Sequence, residues 1–213
     1  MQRTVKGVIL IATGIGLFVP PLSAQTQVSA LLQQLESRRT TDSARTQLLQ
    51  LGRSDPKARQ YLAIHLPLLI AADPRNPDPS HEFLRRQWMN AVYLAGALRL
   101  VEAAPVLAKR LNVRSTPLSG DYWNENLGGL PAGYALCQIG DPTIPLMERM
   151  LADGNSDQRT NAAYVLGAMN SPKSVAVLED YAKNGKDRQL ANYLRTNRLN
   201  GAESKLRWGH SCL

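Results

Sequence analysis

The side chains from which a catalytic or metal site would have to be built are three histidines, two cysteines and seventeen acidic residues. His65, His81 and His210 share no ligand spacing, and His81-Glu82 is the only His-Glu pair in the chain. A metal ion held by protein needs three or four ligands converging on one point, so no metal site is expected, and His81 reads as a first-turn neighbour of the helix that Ser80 opens. Cys137 could act as a nucleophile only as a thiolate. Placed between Leu136 and Ile139, its thiol should have a raised pKa and stay inert. Asp121, Glu125 and Asp141 stand among turn and cap formers, the ordinary use of short acidic residues. There is no G-x-S-x-G elbow and no glycine-rich phosphate loop, and Gly128-Gly129 serves only to start a helix. The residues thus imply no catalytic group and no cofactor.

What the sequence does contain is a repeated packing pattern. Asn161 to Met169 (NAAYVLGAM) is echoed by Asn90 to Leu98 (NAVYLAGAL), and more loosely by Ala132 to Ile139. Aligned on Tyr93, Tyr134 and Tyr164, the three strings place Gly96, Cys137 and Gly167 three residues on, and Leu98, Ile139 and Met169 five residues on. A small residue there lets two helices approach, while the tyrosine and the aliphatic residue fill the seam. Pro142 and Pro172 start a second helix at one offset from the tyrosine. A helix pair of this kind cannot bury both faces alone, so pairs must stack. The expected fold is all-α: a short right-handed α-solenoid of stacked antiparallel helix pairs.

Residues 1–24 are set apart from that fold. Arg3 and Lys6 precede an apolar run from Gly7 to Val19, Pro20 and Pro21 break it, and Leu22-Ser23-Ala24 supplies small residues before Gln25. This is the pattern of a cleavable signal peptide, shorter than the ~20 apolar residues that span a bilayer. The mature chain is therefore expected to be secreted or periplasmic, in a bacterium. Cleavage near Ala24 removes two cations from the formal +8 and leaves +6. Such a balance suits a solvated surface, or a cell-surface role led by basic side chains. No zinc spacing, recognition helix or aromatic RNA-binding motif points to nucleic acid. Cys137 and Cys212 could pair in an oxidising compartment, although the apolar setting of Cys137 favours a free cysteine acting as a small hydrophobe.

Apolar spacing then gives the order of elements. A capping helix runs from Gln27 to Arg38, and Thr40, Thr41 and Asp42 cap a second one that Gly52 closes. Pro56 starts a third, which Pro67 should kink or break. Residues 73–80 form a proline-rich loop, followed by a long helix from His81 to Leu100 and a partner from Ala103 to Leu111. Residues 112–126 are the most irregular interior stretch, a length that is either functional or packed across a neighbour. Further pairs follow, then a last helix from Asp187 to Leu199 and a tail, 201–213, of weak periodicity. The solenoid domain is thus read as 25–200.

The string Asn161 to Asp180 (NAAYVLGAMNSPKSVAVLED) resembles the short HEAT-like repeat first associated with phycobilisome lyases, in the armadillo-type superfamily. Gln138 to Leu151 (QIGDPTIPLMERML) is similar to its turn and second helix. The resemblance covers about Trp88 to Leu199 and is weaker from Thr41 to Ala72. It implies a protein-binding scaffold or adaptor, and nothing about a bilin substrate. On that reading the partner is another protein, with no nucleic acid and no stable membrane insertion after cleavage. The alternative is a ligand binder or metal-dependent enzyme with a pocket beside the 112–126 loop, drawing on His81 and Glu82. Second helices usually line the concave side of such stacks, which nominates Arg110, Arg149 and Lys173, joined by Arg188 and Arg195 on the last helix. Tyr122 and Trp123 on the long loop are the aromatic candidates, either contacting a partner or packing back over the repeats.

Overall fold

A computed structural model describes residues 23–72, 82–114 and 129–196, and among them the chain forms ten α-helices and two short 3-10 turns. They are α1 (Ala24–Gln34), α2 (Thr41–Ser54), α3 (Pro56–Ala71), α4 (Glu82–Ala97), α5 (Ala104–Lys109), α6 (Pro131–Ile139), α7 (Ile144–Asp153), α8 (Ser156–Met169), α9 (Pro172–Asn184) and α10 (Arg188–Leu194). The 3-10 turns, Val101–Ala103 and Asp141–Thr143, lead into α5 and α7. Helices α2, α4, α6 and α8 pack side by side in one row, and α3, α5, α7 and α9 in a second. α1 lies across α2 and α3 as the cap, and α10 packs on α9. The all-α solenoid is therefore present.

Between the rows runs one apolar seam. Leu48, Leu62, Leu94, Leu107, Leu136 and Leu166 are fully buried in it, each contributing about 2 kcal/mol. Gly96, Cys137 and Gly167 are buried, as are Leu98, Ile139 and Met169, whereas Tyr93, Tyr134 and Tyr164 are only half-buried. The tyrosines pack against the core from its margin, the usual place of a ring that is apolar in body and polar at its tip.

Local sequence explains most helix starts. Asp55 accepts backbone N–H groups of Lys57 and Ala58 at 2.7 and 3.3 Å ahead of Pro56. Asn155 and Gln158 form a reciprocal capping box with both bonds at 2.9 Å, and Ser171 Oγ accepts from Ser174 N at 3.2 Å. Thr40 and Thr41 depart from the expected capping of α2. Their hydroxyls turn back and donate to the carbonyls of Gln34 and Leu35, at 2.8 and 2.9 Å, satisfying the open end of α1 instead.

The first-row helices α4, α6 and α8 are each followed by a residue of positive φ, left-handed helical at Asn170 (ψ 26°) and in a glycine-only region at Gly140 (ψ -149°). Arg99, Gly140 and Asn170, each six residues after the aligned tyrosine, have φ of 51°, 86° and 47°. The turn into the second row needs a residue of positive φ, which asparagine and glycine adopt readily and arginine does not. Arg99→Gly is expected to raise stability by about 1 kcal/mol, read as a higher urea midpoint at an unchanged slope. That turn also stops α4 at Ala97, short of the expected Leu100.

Neither Gly52 nor Pro67 breaks its helix. α2 continues through Gly52 to Ser54, since Gly52 is buried against Leu98 and Leu62 and serves close approach. α3 runs unbroken through Pro67. Pro67 lies on the half-exposed side of the helix, where water can bond the carbonyl its missing N–H leaves open.

Candidate protein-contact surface

Of the nominated contact residues, Tyr122 and Trp123 lie outside the described residues, and so does His81; Glu82 begins α4, but its side chain is not described. The root of their loop is placed. Val113 is buried, and Asn112 Oδ1 accepts from Asn161 Nδ2 at 2.9 Å, which ties the start of the loop to α8. The two asparagines of the repeated string therefore work as long-range links, Asn161 from α8 to the root of the loop and Asn90 from α4 to α2. Asn90 Nδ2 likewise donates to Thr41 Oγ1 at 3.1 Å and to the Arg86 carbonyl at 2.8 Å, and Asn90 Oδ1 accepts from Arg45 at 3.3 Å. Side-chain identity at those positions carried the signal; its partners, 49 residues away, did not show in the pattern.

The basic residues fall into two groups. Arg110 donates to the carbonyl of Ala71, the last residue of α3. Arg195 donates to the Ala182 carbonyl of α9 through Nε and Nη2, at 3.2 and 2.9 Å, and Arg159 reaches the Gly154 carbonyl beyond α7. Three second-row helices thus end on an arginine from a later element, where cations complement the helix dipole. Arg149, Lys173 and Arg188 stay exposed, and Lys173 Nζ stands 3.6 Å from Asp141 Oδ2 in a pair open to water that adds at most about 1 kcal/mol.

Between α7 and α9 the second row leaves an open groove of about 430 Å³. Leu151, Ala152, Ala176, Val177 and Tyr181 give it an apolar lining, with Glu148 and Asp180 adding carboxylates. A smaller cleft of about 290 Å³ separates α8 from α10, lined by Thr160, Tyr164, Asp187 and Tyr193 among others.

Asp187 is committed to structure in that cleft. Its Oδ1 accepts from Leu190 N and Gln189 N at 3.0 and 3.1 Å, and Arg159 Nε lies 3.4 Å from Oδ2. The Leu190 N–H first, and then the Arg159 guanidinium, hold its carboxyl below the ordinary aspartate value against an opposing desolvation. A lowered pKa stabilises the fold fully above about pH 4, and the contribution disappears as pH falls through the folded value. Asp187→Ala is expected to cost about 1 kcal/mol at pH 7 and less at a pH below both values, where a neutral carboxyl still caps the helix, measured by urea unfolding at each pH.

Cys137 is disulfide-bonded, which overturns the expectation of a free thiol. Apolar burial of Cys137, complete here, is equally compatible with a bridge, and neighbouring residues could not distinguish the two. The only other cysteine, Cys212, lies outside the described residues. His65 stacks on Tyr61 with ring centroids 3.9 Å apart. Among the described residues no three His, Cys, Asp or Glu side chains converge as a metal site would require, and no helix is long and apolar enough to cross a membrane.

Two rows of helix hairpins enclosing one seam and offering grooves between neighbours define an α-solenoid scaffold. Residues 132–193 match the family model described as HEAT repeats, a span from α6 into α10, and the two-row stack supports a HEAT-like repeat protein. No curated protein matches it.

Proposed function

We propose that the protein is an exported scaffold or adaptor that binds another protein and performs no catalysis. The observation that carries the reading is the groove between α7 and α9, open, apolar along its floor and edged by Glu148 and Asp180. Repeats of this family generally mediate protein–protein contacts, and a groove of this kind suits an apolar side chain of a partner flanked by a cation. Arg149, exposed on α7, and Lys173, exposed on α9, add charge selectivity at the margin. The loop bearing Tyr122 and Trp123 is a second contact, supported by the anchoring of its root at Asn112.

Export rests on the leader-like residues 1–24. Ser23 caps α1 and Ala24 begins it, so cleavage after Ala24 trims one cap and leaves Gln25 to open the helix. Fractionation of the native host and the intact mass of the mature chain test this part.

Ala176 is exposed on the groove floor, so Ala176→Arg fills it without entering the core. A tagged wild-type chain should recover a discrete partner from the envelope fraction, and Ala176→Arg should recover less than about a tenth as much. Equal recovery by a folded Ala176→Arg variant would remove the groove from the interface. Equal recovery by Tyr122→Ala with Trp123→Ala would do the same for the loop.

A further inference from the structure

Cys137 is bonded to a second sulfur, and the chain has one other cysteine, Cys212. Because Cys137 is fully buried in α6, two copies meeting at their surfaces could not form this bond, and Cys212 of the same chain is its partner. The described residues end at Thr196, just after α10. Residues 197–211 therefore lead from the last helix back to the middle of the first row.

The order of the helices limits the route. α6 and α8 stand side by side, and α10 lies beyond α8, so the returning chain must cross α8 to reach Cys137. Two sides of α8 are closed to it. Leu166 is buried in the seam, and Val165 stands against Gly133 of α6. What remains is the side bearing Ser156, Thr160 and Tyr164, which with Leu190 and Tyr193 of α10 forms the cleft of about 290 Å³.

We infer that residues 197–212 form a strap, bonded through Cys212 to Cys137, that lies along the α8–α10 cleft with Leu206 and Trp208 turned into it. Reach supports this placement. Packed helices lie about 10 Å apart, so the cleft, one and a half spacings from α6, is roughly 15 Å from Cys137. Extended chain covers about 3.3 Å per residue, so Trp208 and Leu206, four and six residues before Cys212, reach about 13 and 20 Å and bracket the cleft. Side-chain chemistry agrees. Leu206 and Trp208 alternate with Lys205 and Arg207, so an extended strap sets its apolar side chains on one side and its cations on the other. The apolar side meets Tyr164, Leu190 and Tyr193, and the cations face water, the polar outer cover that the last repeat of a solenoid needs. Such a bond persists in an oxidising compartment, and reduction frees the strap. No residue of the α7–α9 groove takes part, so the strap is tested independently of partner binding there.

Peptide mapping of the non-reduced, monomeric chain should give one cross-linked pair, Cys137 with Cys212. A free Cys137 thiol, or a bond between copies, overturns the inference. Hydroxyl-radical footprinting then reads the path of the strap. In Cys212→Ser, labelling of Tyr164 and of Trp208 should each rise at least about threefold as the cleft opens, while Tyr61 on α3 keeps its wild-type labelling. Cys212→Ser leaves Cys137 in place as a buried thiol, and an unchanged far-ultraviolet circular dichroism spectrum confirms that the variant is folded. Trp208→Asp, with the bond intact, should raise labelling of Tyr164 as well. Unchanged labelling of Tyr164 in either variant overturns the placement in the cleft. An equal rise at Tyr61 does the same, since it would report general loosening in place of a vacated cleft.

Discussion

Trp88→Ala is expected to lower the unfolding free energy by about 4 kcal/mol, the usual cost of emptying a buried indole site. Trp88 is only 2% exposed, and its Nε1 donates to the Ile70 carbonyl at 3.0 Å. The indole therefore fills space between the first two helix hairpins and also satisfies a carbonyl in the last turn of α3, which no later helical N–H reaches. Trp88→Phe separates the two roles. It keeps most of the volume and leaves the carbonyl unbonded, at a cost of about 1.5 kcal/mol. Urea unfolding followed by far-ultraviolet circular dichroism gives both values. Equal losses for the two variants would show that the hydrogen bond, and not the volume, holds the site.

Gly96→Val should cost about 3 kcal/mol, at the upper end of overpacking. A Cβ at Gly96 would stand 2.8 Å from the Ala135 Cα and 2.5 Å from Gln138 Oε1. Ala135 Cα is backbone of α6, so α4 and α6 would have to separate, and the first row would open where its helices are closest. Gly52 provides the contrast. A Cβ there meets the side-chain ends of Leu98 and Leu62, at 2.7 to 3.1 Å, which can rotate aside. Gly52→Ala should stay within about 1 kcal/mol of wild type, since the gain in helix propensity offsets the crowding. Thermal unfolding of the two variants side by side checks the difference, and equal destabilisation would refute the close-approach role of Gly96.

The stack was legible because its signals are local. Pro56 and Pro172 at helix starts and the small residues three after each tyrosine all act within one or two turns, so spacing alone places them. Thr40 and Thr41 misled because a hydroxyl is donor and acceptor alike, and which helix end it serves depends on the approach of α1. Gly52 and Pro67 read as punctuation, but tertiary packing on one side and solvent on the other let both helices continue. The candidate surface was legible only in part. Exposure of Arg149, Lys173 and Arg188 follows from helical phase, whereas the commitment of Arg110 and Arg195 to the carbonyls of Ala71 and Ala182 depends on which helix ends lie beside them. The groove between α7 and α9 escaped because Ala176 and Val177 carry no functional signature. They matter for the space they leave.

Among the described residues, α10 rests chiefly on α9, while the helices at the centre of the stack have neighbours on several sides. Opening of such an array begins at its least supported end. Amide hydrogen exchange should therefore run fastest in α10 and slow progressively toward α4 and α6. Because Tyr193 and Asp187 close one side of the α8–α10 cleft, the width of that cleft depends on how firmly α10 is held, and the bonds of Arg159 to Asp187 and of Arg195 to the Ala182 carbonyl are what hold it.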